Sequence, residues 1–251
     1  MKMKRILALL LLPCLLLGSM ALSGCSQRIT YENGKNYAVG AFESAEKINA
    51  VEIYWDGRAV SVIAAFTDKI RAEEDYFEED GKAMRYAIEE GVLKIYPCAS
   101  GKRVGKLSKT LFLQIPMEMA NALSSVTVHA YDDTKVSLQM MQASKTKVLA
   151  EDGNVSIDGS LSSVYVETVK GDLTLKSATL ADLEFVSEIG NANLSLHLQG
   201  FTAVMREGKG TFESEYAVSE NNGIYAYGTQ ATLISLLTEG KVTLDDFDIL
   251  G

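Results

Sequence analysis

Along most of the chain apolar residues recur at every second position, the period of a strand with one buried face. Val51, Ile53 and Trp55 share one phase, Asp56-Gly57 breaks it, and Val60, Val62, Ala64 and Phe66 resume it, which predicts a hairpin. Met84, Tyr86 and Ile88 follow Asp80-Gly81, Leu93 and Ile95 follow Glu90-Gly91, and Leu111, Leu113 and Ile115 end at Pro116. Helical periodicity is nearly absent apart from a turn expected between Met117 and Leu123.

From Val148 onward a short unit recurs, glycine followed at spacing two by apolar residues. Its copies are Gly153-Asn154-Val155-Ser156-Ile157, Gly171-Asp172-Leu173-Thr174-Leu175, Gly190-Asn191-Ala192-Asn193-Leu194 and Gly240-Lys241-Val242-Thr243-Leu244, with Gly208-Lys209-Gly210-Thr211-Phe212 as a looser copy. The steps between 153, 171, 190 and 208 are 18, 19 and 18 residues. Two strands of about five residues plus two turns use nearly that length, and each such coil buries its apolar row only against the next. The strands before the glycines match in kind: Val164, Val166 and Thr168; Leu183, Phe185 and Ser187; Ala203 and Val204; Leu233 and Ser235. Apolar members are expected inward, and Ser, Thr and Glu outward.

The fold class is therefore all-β: a β-solenoid-like stack of short strands with an N-terminal hairpin region. A β-sandwich is the alternative, since a sandwich produces the same alternation. Asn154, Asp172 and Asn191 at equivalent turns favour the solenoid, because stacked Asx side chains can satisfy backbone donors.

Ahead of the strands lies a different pattern. Lys2, Lys4 and Arg5 precede an apolar run from Ile6 to Leu17, broken by Pro13, and small residues lead to Leu22-Ser23-Gly24-Cys25. This order is that of a signal peptide, and the last four residues resemble a bacterial lipobox. The resemblance implies cleavage between Gly24 and Cys25 and a diacylglyceryl group on the Cys25 thiol. The alternative is a plain transmembrane anchor, which needs about 18 apolar residues. Expected boundaries are 1–24 for the signal peptide, 25–46 for a polar tether and 47–251 for the β-repeat domain, hairpin-rich to about residue 125.

Loss of the signal's three basic residues takes the formal charge from −9 to −12, which argues against nucleic acid as a partner and against adsorption to anionic lipid. Membrane attachment is then expected through the lipid on Cys25, at the extracytoplasmic face of the cell membrane. With Cys14 in the signal and Cys25 acylated, Cys98 is the remaining thiol, expected as a buried small hydrophobe.

The mature chain resembles the bacterial family known as "putative adhesins". The residues carrying this likeness are Val51-Glu52-Ile53-Tyr54-Trp55 before Asp56-Gly57, Leu93-Lys94-Ile95, Leu113-Gln114-Ile115-Pro116 before Val126-Thr127-Val128, and the glycine rungs. The resemblance runs from about residue 48 to the end. It implies a β-solenoid-like fold and surface adhesion or envelope interaction, with a glycan or an envelope or host protein as partner, and it transfers no catalytic residue.

Candidate chemistry is sparse. His129 and His197 fall on outward strand phases without His or Cys partners nearby in sequence. Glu73, Glu74, Asp75, Glu78, Glu79 and Asp80 crowd one connection, and Asp245, Asp246 and Asp248 another; calcium binding is the functional reading, a solvated charge run the structural one. At an open solenoid end the second cluster would discourage end-to-end pairing. Asp152 and Asp172 are the pair an acid/base glycosidase would need, yet both sit beside turn glycines. The expectation is a non-enzyme without cofactor or metal. Tyr54, Tyr76 and Tyr86 mark the candidate binding face, where outward rings could stack on a sugar or a protein. A signalling accessory role, binding a protein partner, is the competing function.

Overall fold

The computed structural model describes residues 29–75, 82–102, 109–206, 209–229 and 231–247. Its first third holds β1 (Ala38–Val39), β2 (Phe42–Ser44), β3 (Ala50–Asp56), β4 (Ala59–Ala65), β5 (Ile70–Glu74), β6 (Arg85–Glu89), β7 (Val92–Tyr96) and β8 (Thr110–Pro116). A single helical turn, Met117–Ala120, follows Pro116 where a turn was expected. The middle runs through β9 (Ser125–Tyr131), β10 (Lys135–Met141), β11 (Lys145–Ala150), β12 (Val155–Gly159), β13 (Ser163–Thr168), β14 (Leu173–Ser177), β15 (Asp182–Ser187) and β16 (Ala192–Leu196). The last part holds β17 (Gly200–Met205), β18 (Thr211–Ser214), β19 (Ser219–Asn221), β20 (Ile224–Gly228), β21 (Thr232–Leu237) and β22 (Lys241–Asp246).

The pairs β3–β4, β7–β8, each pair from β9–β10 to β17–β18, and β21–β22 place one strand in each of two sheets, so each such pair makes one coil, and coils stack through parallel pairing within each sheet. This is the solenoid rather than the sandwich. Register keeps like residues above one another. Ile53, Val128, Val148, Val166, Phe185 and Leu236 form one interior row of the first sheet, all fully buried. Val62, Leu138, Ile157, Leu175, Leu194 and Leu244 form its counterpart in the second. Each such side chain contributes about 1.5–3 kcal/mol relative to exposure, but only while a coil sits on either side.

The corners explain the repeated glycines. A Cβ on Gly171 would fall inside the van der Waals radius of the Gly153 carbonyl oxygen, one on Gly190 would meet Gly171, and one on Gly240 would meet Gly190. Close approach of backbone to backbone, not a left-handed φ, excludes larger residues there. Beside this column the Asx side chains stack as anticipated: Asp172 N donates to Asn154 Oδ1 (3.1 Å), Asn191 N to Asp172 Oδ1 (2.8 Å) and Lys241 N to Asn191 Oδ1 (2.9 Å).

Spatial order departs from chain order at both ends. The coil β7–β8 lies outside β3–β4, which faces β9–β10 on its other side. The final coil β21–β22 is inserted between β15–β16 and β17–β18. Gly240, not the next glycine along the chain, is the neighbour of Gly190, and Gly210 of the looser copy stacks on Gly240, while Gly208 lies outside the described residues. Asp245 and Asp246 are exposed on β22, paired with Ser195 and Leu196 on one side and beyond the reach of β18 on the other, and Asp248 lies outside the described residues. Antiparallel strands flank both sheets at one end, β5 and β6, and the first sheet at the other, β20, where parallel β18 is the outermost strand of the second sheet.

Four further expectations change. Asp56-Gly57 makes no hairpin, because β3 and β4 belong to different sheets and the dipeptide is a coil corner. Hairpins join β6 to β7 and β19 to β20, where Glu90 (φ 52°) and Gly91 (φ 79°), and Asn222 (φ 51°) and Gly223 (φ 75°), supply the two left-handed residues that a type I′ turn demands. Thr168 and Ser187 point inward, not outward: each hydroxyl accepts from the rung glycine, Gly171 N at 2.6 Å and Gly190 N at 2.8 Å. In β21 the inward residues are Ile234 and Leu236, while Leu233 faces solvent. The segment expected as tether also joins the fold from residue 29, with Ile29 and Tyr37 buried and Phe42 in the main core.

Candidate functional site

Parallel register places Tyr96 of β7, Tyr54 of β3 and His129 of β9 side by side on the outer face of the first sheet. At strand spacing their rings stack: Tyr54 lies 4.8 Å from Tyr96 (5° between planes) and 4.5 Å from His129 (10°). Tyr31 covers the other face of the pair, 3.7 Å from Tyr96 at 14°. Burial, followed by Lys147, holds the His129 pKa below its ordinary value, so the ring is neutral at pH 7. Burial raises the phenols of Tyr31, to about 12, and of Tyr54.

Tyr31 belongs to a strap, residues 29–37, laid over this face. Its N–H donates to Ser100 Oγ (3.0 Å), that hydroxyl donates back to Tyr31 O (2.9 Å), and Tyr31 Oη donates to Cys98 O (2.8 Å). Gly101 N donates to Ile29 O (3.0 Å), and Tyr37 Oη reaches Glu89 (3.3 Å). Between strap and sheet lies an open depression of about 400 Å³ lined by Ile29, Thr30, Tyr31, Glu32, Tyr54, Tyr96 and Tyr131. At the end of β3, Asp56 is buried, and burial, then Asp132 and Glu151, pushes its carboxyl up to about 6.

The chemistry of this face differs from a sugar-stacking platform. Tyr96 and Tyr54 each spend both ring faces on neighbours, leaving edges and hydroxyls to present. Tyr86 is not part of it: its ring stacks on Phe42 at 3.8 Å and packs against the main core. Tyr76 lies outside the described residues, as do Gly24 and Cys25. Tyr31, Tyr96 and Tyr131 were not singled out from sequence; register with Tyr54 could have found Tyr96, but nothing local marks Tyr31.

The acidic connection is largely structural where it is described. Lys109, at the start of β8, is fully buried and pairs with Glu74 Oε2 at 2.7 Å. It also donates to Lys82 O (2.8 Å) and Pro97 O, and lies 4.9 Å from the Trp55 ring centroid. Glu74 Oε1 accepts from Met84 N at 2.7 Å, and Asp75 bonds Arg58 and Thr110 N. Asp172 Oδ1 accepts from both Asn191 N and Asn191 Nδ2 and so serves the corner column. His197 Nδ1 lies 3.6 Å from Asp246, itself bonded by Tyr216 Oη at 2.9 Å. Among the described residues no three His, Cys, Asp or Glu converge as metal ligands, and no helix is long and apolar enough to cross a membrane. Cys98 is buried, as expected, and burial raises its thiol pKa.

No protein-family model matches the chain, and no curated protein matches it. Solved structures do resemble it. A "putative cell adhesion protein" of Clostridium sporogenes aligns at TM-score 0.45 and 10% identity over 83% of this chain and 100% of that one. A "putative adhesin" of Bacteroides fragilis aligns at TM-score 0.40 and 12% identity over 83% and 97%. Another from Parabacteroides merdae aligns at 0.32 and 12% over 88% and 100%.

Proposed function

We propose that the chain is an exported, non-catalytic lipoprotein, held at the extracytoplasmic face of the cell membrane by acyl groups on Cys25 and offering its solenoid as a surface for contacts with a glycan or an envelope or host protein. The Lys2-to-Cys25 pattern supports the anchoring, with a charged, an apolar and a small-residue region in the order that export and lipidation require. The observation that carries the non-catalytic reading is the commitment of its reactive groups to structure: Glu74 to Lys109, Asp75 to Arg58, and Asp172 to the Asx column. Long stacked sheets with regular outward rows are suited to extended contacts rather than to closing around a small substrate.

Two measurements test this reading. Cys25→Ala should move the protein out of the membrane fraction or stop its processing; unchanged membrane association and gel mobility would refute the anchor. Residues 26–251 screened against glycans and envelope extracts should retain a partner chemically unaltered, and release of a cleaved sugar would refute the non-catalytic role.

A further inference from the structure

We propose that the Tyr54 face is turned toward the anchoring membrane and rests against its lipid headgroups, which leaves the outer face of the second sheet as the surface free for other partners. This rests on the reading of Cys25 as the lipid-bearing residue.

The argument is one of length. The described structure begins at Ile29, four residues beyond Cys25, and four residues span at most about 14 Å whatever their conformation. A headgroup layer is itself about 5–8 Å thick. The leash cannot lengthen by peeling, because the strap is pinned: Ile29 is buried, its carbonyl accepts from Gly101 N, and Tyr31 exchanges two bonds with Ser100. Ile29 and Glu32 line the same depression as Tyr54 and Tyr131, so the point where the leash ends and the tyrosine face are one place.

The chemistry of the face suits that position. Tyr96 is buried and the Tyr31 hydroxyl is spent on Cys98 O, but Tyr54 and Tyr131 are partly exposed, and such rings, apolar in body and polar at the tip, are of the kind that settles at headgroup level. The chain's negative charge opposes approach to anionic lipid, and what holds the face there against that repulsion is the short leash, which keeps it at high effective concentration. On the opposite side, Ser137, Ser156, Thr174 and Asn193 form a polar row on the second sheet, which Ser61 continues to a single exposed ring, Phe112.

The test uses the full-length lipidated protein in phosphatidylethanolamine/phosphatidylglycerol vesicles carrying nitroxide-labelled headgroups. A fluorophore is placed on the strap by Lys35→Cys or on the second sheet by Thr174→Cys; both positions are exposed, and buried Cys98 is controlled by labelling the unsubstituted chain. Quenching several-fold stronger at 35 than at 174 is expected. Equal quenching, or stronger quenching at 174, in protein that floats with the vesicles overturns the orientation. Failure to float would instead refute the anchoring reading, so the two failures are distinguishable.

Discussion

Replacing Lys109 by methionine should destabilise the N-terminal coils far more than an ordinary surface lysine would. The ammonium is fully buried and joins three separate segments: Glu74 at the end of β5, Lys82 O before β6 and Pro97 O after β7. Methionine fills much of the same volume, so the packing loss is small and the electrostatic loss dominates. What remains is a Glu74 carboxylate with 8% of its side chain exposed and its cation gone. Removing one partner of a buried ion pair costs about 3–5 kcal/mol, because the other is left charged and unpaired. Glu74→Gln in the same chain should recover a large part of that cost, since the amide oxygen can still accept from Met84 N without carrying charge. Urea unfolding of residues 26–251 as wild type, two single variants and the double variant gives the coupling directly. A cost below about 1 kcal/mol for Lys109→Met, or additive single effects, would refute the picture of a buried clasp.

Other consequences follow from the corners, the carboxylates and the coil order. Asp56 has a folded pKa of about 6 against an ordinary 3.8, so between those values the folded chain binds more protons than the unfolded one and stability falls as pH rises. Asp56→Asn should flatten that slope between pH 4 and 6 and stabilise the protein at pH 7 by up to about 3 kcal/mol, at about 1.4 kcal/mol per pKa unit; an unchanged pH profile of unfolding would contradict it. Gly171→Ala drives a Cβ into the Gly153 carbonyl and should cost about 1–3 kcal/mol or more in denaturant unfolding, against no effect if the corner can widen. Truncation after residue 231 removes an inserted coil, not an end repeat. It should therefore expose both flanking coils and abolish hydrogen-exchange protection in β15 to β18; retained protection would show that those coils close up without it.

How much could be seen beforehand depended on how local the signal was. Period-two alternation and the glycine rungs made the coils legible because each rung carries its own cause, a backbone approach at Gly171 or Gly190 that no side chain survives. The Asx column was legible for the same reason. Coil order was not, since Gly240-Lys241-Val242 fits equally well on any neighbour; what places it beside Gly190 is the burial of Ile234 and Leu236 against Leu183 and Phe185, far away in sequence. Inward Thr168 and Ser187 were misassigned because a hydroxyl reads as solvent-facing unless the glycine N–H it serves is known. Lys109 was invisible as a core residue, its partners lying 35, 27 and 12 residues away. The candidate face was half legible. Tyr54 stood out on an alternating strand, but its faces are occupied by Tyr96 and His129, which only register reveals, and the strap bearing Tyr31 has no periodicity.

The intact mass and first residue of the mature protein extracted from membranes test most directly whether a lipid sits four residues ahead of a pinned strap. A chain beginning at Cys25 and carrying the added mass of acyl groups is expected. A chain beginning elsewhere, or one whose Cys25 bears no lipid, would contradict both the anchoring and the orientation built on it.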